Sequence, residues 1–464
     1  MLSTRLTQCL IGAALLLALP ATAQHLRVSD NKRFLVKADG SPFFYLGDTA
    51  WELFHRLNRE EADTYLRDRA DKGFTVIQAV VLAEIDGLHD PNPYGAVPLQ
   101  NDDPTQPNDA YFQHVDYIVN KAEELGLTVG MLPTWGDKVF KNKWGVGPEI
   151  FNPANAKVYG AYVGRRYKGK PIIWILGGDR LPRDKQDEAI WRAMAEGIVE
   201  GAGDGDPDKL MMTFHPQPKQ GGGSSTWFHN DAWLDFNMFQ TGHCRDANVY
   251  EKITHDYNLT PVKPTMDGEP IYEEHPVCFN AKENGTTEAA DIRRAAYQDL
   301  FAGAHGHTYG CHNVWQMYDT NREGINGPTK NWKASLDLPG ARQMTFVRAL
   351  MEARPFLVRV PDQELVQEAY EGAERIQATR GEDYAFIYST AGKPIVVNMG
   401  IISGKQVNAS WYDPRTGSTT FIGKFRNTGS RTFTPPTSGT DNDWVLILDD
   451  VTKGYKPPQH KQAN

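Results

Sequence analysis

The sequence predicts an α/β chain: a (β/α)8 TIM barrel followed by a small antiparallel β-sandwich. Three observations carry this. Eight short apolar runs alternate with helix-patterned segments over roughly 300 residues, close to the usual barrel size of about 250 residues plus insertions. Polar residues collect at the carboxyl ends of those runs, where barrels carry their active sites. Beyond residue 357 the pattern changes to short alternating strands separated by Gly, Pro, Asn and Asp turns.

The elements follow in order. MLSTRLTQCLIGAALLLALPATAQ joins Arg5 to the apolar run Leu10–Leu19 and then to Ala21-Thr22-Ala23, an A-x-A cleavage pattern, so residues 1–23 read as an export signal cut after Ala23. The run is too short to span a bilayer, so no membrane insertion is expected after cleavage. Cys9 precedes the run, away from the cleavage point, which argues against a lipid anchor.

The barrel is expected over 24–357, with strands in FFYLGDTAW (43–51), FTVIQAVV (74–81), LTVGMLPTW (127–135), PIIWILGGD (171–179), KLMMTFHP (209–216), LDFNMFQTG (234–242), PTMDGEPIYE (264–273) and GHTYGCHNVWQMY (306–318). Helical spacing appears in REEADTYLRDRADKG, in DAYFQHVDYIVNKAEELG with Phe112, Val115, Ile118, Val119 and Leu125 on one stripe, in EAIWRAMAEGIVEGAG and in AADIRRAAYQDLFAGA. An open doubly wound sheet is the alternative, weakened because no G-x-G-x-x-G turn follows the first run. Residues 84–110, rich in Pro, Asn and Asp, form a long connection on the active face, and this position favours a wall of the pocket. The stretch 221–225 reads as a flexible loop. The sandwich is expected over 358–464, ending in the frayed tail KGYKPPQHKQAN.

Composition narrows the function. The chain of 464 residues is 40% hydrophobic and 23% charged, ordinary for a globular protein. Removing the signal takes away Arg5 and no acid, so the formal charge moves from -9 to -10, a poor balance for gripping nucleic acid or an anionic membrane. Cys244, Cys278 and Cys311 remain; one disulfide is possible and none is required. Nothing in the sequence signals an oligomeric state.

Two acids at strand ends stand out. Asp179 closes the fourth strand and Glu269 lies in the seventh, nearly opposite in a closed ring, so both can point into one mouth. That is the two-carboxylate arrangement of a glycosidase acting on an oligosaccharide or polysaccharide, with Glu269 read as nucleophile and Asp179 as general acid and base, by analogy with retaining barrel glycosidases. A structural role competes, because caps and ion pairs also place acids at strand ends. Asp48, Trp51, Trp135, Asp137, His215, Gln240, His307 and Gln316 are the candidate substrate-binding residues. Trp227 and Trp315 also lie near the active face, while Trp174, inside an apolar strand, reads as core.

Other chemistries are weaker. HGHTYGCH holds His305, His307, Cys311 and His312 but matches no zinc spacing, and strand alternation puts His305, His307 and Cys311 on one face and His312 on the other, so no metal and no cofactor is expected. DGDPD (204–208) lacks the twelfth-position acid of a calcium loop and reads as a solvated turn. No G-x-S-x-G is present.

YLGDTAWELFHRL, NPYGAVPLQNDDPTQPNDAYF, PTWGDK, IIWILGGDR, GHTYGCHNVWQ and WYDPRTG together resemble the apiosidase-like glycoside hydrolases, a family of exported bacterial proteins, over about residues 25–450. The resemblance implies a barrel followed by a β-sandwich named for collagen binding, and release of apiose linked to galacturonic acid in the pectic polysaccharide rhamnogalacturonan II. It sets the family's catalytic Asp on Asp179 and catalytic Glu on Glu269, and its pocket on Asp48, Trp51, Trp135, Asp137 and His307. The chain departs from the family pattern at Cys311 and His312. The alternative is a non-catalytic carbohydrate- or collagen-binding matrix protein, with Trp411 and Tyr412 as exposed-looking aromatics; a Trp before a turn more often packs on the neighbouring domain.

Overall fold

The computed structural model describes residues 26–218 and 223–459. The export signal and Gly221 and Gly222 of the predicted loop lie outside the described residues. Each of the eight apolar runs contributes one barrel strand: β1 (Tyr45–Thr49), β2 (Val76–Leu82), β3 (Thr128–Thr134), β4 (Ile172–Gly177), β5 (Met212–His215), β6 (Asn237–Gln240), β7 (Thr265–Glu269) and β8 (Gly306–Tyr309). The helices after them are α1 (Arg59–Asp71), α2 (Asp109–Glu124), α3 (Pro153–Arg166), α4 (Lys185–Ala202), the single turn α5 (Ser225–Phe228), α6 (Val249–Tyr257), α7 (Ala289–Phe301) and α8 (Pro339–Glu352). Asn58 with Glu61, Asn152 with Asn155, and Asp184 cap α1, α3 and α4 by accepting from first-turn amides.

Strands β8-β1-β2-β3-β4-β5 share one parallel ladder and β6-β7 a second. The seams are stitched by few bonds: Asp235 N donates to Met212 O at 2.9 Å on one side, and His305 N to Thr265 O at 3.0 Å on the other. At the first seam the Asp235 carboxylate also accepts from Met212 N at 2.7 Å. Strand side chains alternate between two cores. Tyr45, Val80, Leu132, Ile175 and Met238 fill the barrel, floored by Leu26, Leu35 and Phe43 from three short N-terminal strands. Leu46, Ile77, Val81 and Val129 face the helices. Burial on both faces is why β2 reads as a continuous apolar run rather than an alternating one.

The C-terminal sandwich contains β9 (Val360–Pro361), β10 (Ile376–Arg380), β11 (Tyr384–Ser389), β12 (Ile395–Met399), β13 (Gln406–Tyr412), β14 (Thr419–Arg426), β15 (Gly429–Phe433) and β16 (Trp444–Asp450). Its larger sheet runs β9-β10-β11-β16-β13-β14, and β12-β15 form the second layer. One face of the larger sheet, including Tyr384, Phe386, Tyr388 and Ile447, merges with the barrel's outer core. Tyr388 stacks on Tyr297 of α7 at 4.8 Å between centroids, and Arg293 pairs with Asp443 at 2.7 Å. WYDPRTG is therefore not an exposed aromatic edge. Trp411 turns into the sandwich core, 6.3 Å from Trp444, and it is Tyr412 that packs on the barrel, donating to Phe346 O at 2.8 Å.

Candidate active site

Strand β4 ends at Gly177, and Gly177, Gly178 and Asp179 all have positive φ: 92°, 116° and 51°. A Cβ on Gly177 would lie 2.3 Å from His215 O, and one on Gly178 2.7 Å from the Trp135 ring. Only glycine fits at both places, and the resulting sharp turn holds Asp179 in a left-handed conformation that costs a non-glycine residue energy. This explains why an apolar strand stops on two glycines and an acid.

On β7 the pairing with β6 shifts. Phe239 faces Asp267 and Gln240 faces Glu269, so Gly268 is an extra residue, a bulge that re-aims Glu269. The bulge is fixed from inside the barrel: Gln78 Nε2 donates to Gly268 O at 2.9 Å, and Tyr45 OH donates to Gln78 Oε1 at 2.9 Å. A Cβ at position 268 would meet Met238 Sδ at 2.4 Å.

Asp179 and Glu269 line one cavity of about 610 Å³. Trp51, Trp135 and Trp315 form its apolar base, with Trp51 and Trp135 5.1 Å apart. Tyr272 OH accepts from Trp51 Nε1 at 3.1 Å. Glu84 and Ile85, from the long connection after β2, form part of the wall, as the sequence predicts for that loop. Trp144, Gln240, His243 and His275 complete it on other sides. The Cys244–Cys278 disulfide ties the segment carrying His243 to the one carrying His275, and Cys278 N donates to His243 O at 2.9 Å. Cys311 is free and buried.

The two carboxyls are driven in opposite directions. Burial and the charge of Glu269 push Asp179 up to about 6, against the opposing pull of Arg180, 3.4 Å away, and of His215. Burial also pushes Glu269 upward, but His215 Nε2 at 3.1 Å and His243 Nε2 at 3.5 Å outweigh it and hold the group at about 2. Glu84 is pushed up to about 8 by burial and by Asp179. Burial lowers His275 to about 2 and His312 to about 4, so both are neutral at pH 7. An acid that holds its proton up to about pH 6, facing one that is ionised well below that, is the division of labour glycoside cleavage uses.

Of the predicted binding residues, Trp51, Trp135 and Gln240 line the cavity and the others do not. Asp48 points outward from β1, because inward places alternate with Tyr45, Gly47 and Thr49; it pairs with Arg69 at 2.6 Å beneath α1. Asp137 forms a buried pair with Lys138 at 2.8 Å and accepts from Gly147 N at 2.8 Å, fastening the loop that carries Trp144. His215 lies behind Glu269. His307 faces α7, with Nδ1 2.6 Å from Asp299 Oδ2. Gln316 braces the 316–325 turn through Ile325 N and O. Among the other tryptophans, Trp315 reaches the cavity and Trp227 does not, while Trp174 is core as expected.

Asp48→Ala, by leaving Arg69 buried without its partner, is expected to cost about 3–5 kcal/mol of folding stability in denaturant titration. Substrate KM of the folded fraction should stay unchanged.

HGHTYGCH does not converge. His305 turns into the barrel base, 5.0 Å from the Phe236 ring, while His307 faces outward and Cys311 lies in the outer core, so His305 does not share a face with them. His312 lies 3.3 Å from Asn326 O. Among the described residues one trio lies at metal-ligand spacing, Cys244, Asp246 and Cys278, and its two sulfurs are bonded to each other.

Glu84 was legible by the rule that finds Asp179, since it follows the carboxyl end of β2. Trp144, His243, Tyr272 and His275 come from irregular connections with no periodic signal.

The family model described as "Apiosidase-like, catalytic domain" matches residues 29–358, and the model described as "Putative collagen-binding domain of a collagenase" matches residues 360–449. A solved structure described as "Glycoside hydrolase" superposes with a TM-score of 0.85 at 35% identity, covering 94% of this chain and 98% of its own. A glycoside hydrolase family 5 structure from Bacteroides vulgatus ATCC 8482 superposes at 0.86 with 33% identity, covering 94% and 96%. No curated protein matches the chain. A family match over residues 29–358, and two glycoside hydrolase structures that superpose on nearly the full chain at 33–35% identity, lead to one conclusion: the chain belongs to the apiosidase-like glycoside hydrolases.

Proposed function

We propose that the protein is an exported, exo-acting, retaining glycosidase that removes a terminal sugar from pectic glycans, with the apiose–galacturonic acid linkage of rhamnogalacturonan II as the preferred target. The observation that carries the mechanism is the opposite displacement of Asp179 and Glu269 within one cavity. Glu269 attacks the anomeric carbon as the glycosidic C–O bond breaks, and the Asp179 proton passes to the departing oxygen. Asp179, now a carboxylate, takes a proton from water as that water attacks the anomeric carbon and releases Glu269. The aromatic base of the cavity supports stacking of a sugar ring. A matrix-binding role draws no support from Trp411 and Tyr412, both of which are buried.

The test is hydrolysis of pectic oligosaccharides followed by NMR. The first sugar released is expected to keep the anomeric configuration of the substrate, with the other anomer appearing only by later mutarotation. First release of the inverted anomer would remove Glu269 from the nucleophile's role.

A further inference from the structure

Trp144 is 51% exposed at the rim of the cavity, beside Val146 at 42%, and both line it. Its loop is not loose. Asp137 accepts from Gly147 N at 2.8 Å, Arg180 Nε donates to Phe140 O at 3.0 Å, and Glu149 accepts from Lys141 N at 2.9 Å. The indole is also oriented: Nε1 donates to Asp179 Oδ2 at 3.3 Å, and the Arg180 guanidinium backs the ring at 5.0 Å from its centroid. An aromatic face held still, with one edge on the proton donor and access to the cavity, has the form of a stacking platform.

The geometry points to Trp144 as the platform of a leaving-group subsite, which holds the first sugar ring beyond the bond being cut. This rests on the assignment of Asp179 as proton donor. The donated proton goes to the glycosidic oxygen, and that oxygen departs with the leaving sugar. A ring bonded to the donor's own carboxylate therefore borders the leaving sugar, while Trp51, Trp135 and Trp315 line the base of the cavity for the sugar that Glu269 attacks. The ligand is a pyranose whose apolar C–H face lies on the indole, so the enzyme selects a glycosyl leaving group over a small one.

The experiment compares wild type, Trp144→Ala and Trp144→Phe on a pectic oligosaccharide and on the glycosyl fluoride of the sugar released from it. Fluoride has no ring to stack and needs no proton. Trp144→Ala is expected to lower kcat/KM on the oligosaccharide roughly 30-fold, the size of one lost aromatic contact, and to leave the fluoride within about threefold. Trp144→Phe should recover most of the loss. Thermal melting should match wild type, since the side chain is half exposed. Equal losses on both substrates, or no loss on the oligosaccharide, would overturn the subsite. Failure of the Asp179 assignment shows separately, as an Asp179→Asn variant insensitive to leaving group.

Discussion

Glu269→Gln is expected to lower kcat by about 10⁴-fold or more while leaving substrate binding within a few-fold of wild type, because glutamine keeps the shape of the side chain and loses the charge that attacks. The site is built to keep that charge. His215 and His243 approach opposite oxygens of Glu269, and the Gly268 bulge, held by Gln78, aims the carboxylate into the cavity. Kinetics, with isothermal titration of the inactive variant, measure both halves of the prediction. The smaller variant Glu269→Ala adds a chemical control: azide entering the vacated space should restore turnover of an activated aryl glycoside and yield a glycosyl azide of inverted configuration. Wild-type turnover by Glu269→Gln would end the two-carboxylate mechanism.

Asp179→Asn should divide substrates by leaving group. Those with poor leaving groups are expected to slow about 10²–10⁴-fold, the usual worth of a positioned general acid, whereas glycosyl attack on activated aryl glycosides should fall by roughly tenfold or less. The pH profile supplies the second measurement. Asp179 must be protonated to act, and burial with the Glu269 charge places it at about 6, so wild-type kcat/KM should fall as pH rises through about 6. Glu269 must be ionised, and at about 2 it sets the acid limb far below. Asparagine cannot titrate, so the limb near 6 should vanish in the variant. If a basic limb persists in the variant, the proton donor is another group, and Glu84, which shares the cavity and is pushed upward by burial and by Asp179, is the one to substitute next.

Much of the architecture could be read from residue order. Each strand lay where apolar runs were bounded by turn residues, since a parallel barrel strand buries both faces and leaves a continuous apolar signature. That Asp179 and Glu269 reach one cavity was legible because acids at strand ends are costly without a purpose. The binding residues were less so. Asp48, Asp137 and His307 carry the same positional signal as a true lining residue, yet each pairs with Arg69, Lys138 or Asp299 outside the cavity. Their direction depends on strand phase and on partners distant in the chain.

Periodicity along the chain and the chemistry of single residues were enough to specify a barrel, a sandwich and a facing pair of carboxyls, because local burial patterns are written into neighbouring positions. Which groups set the opposite displacements of those two carboxyls, which aromatics line the cavity, and that Trp411 turns inward while Tyr412 meets the barrel were decided by three-dimensional packing. Those properties arise from groups brought within a few ångströms of each other across long stretches of chain: His215 and His243 on Glu269, the Trp135 ring against Gly178, and Trp144 on Asp179. Electrostatic and stacking energies depend on distance in space, and separation along the chain does not encode it.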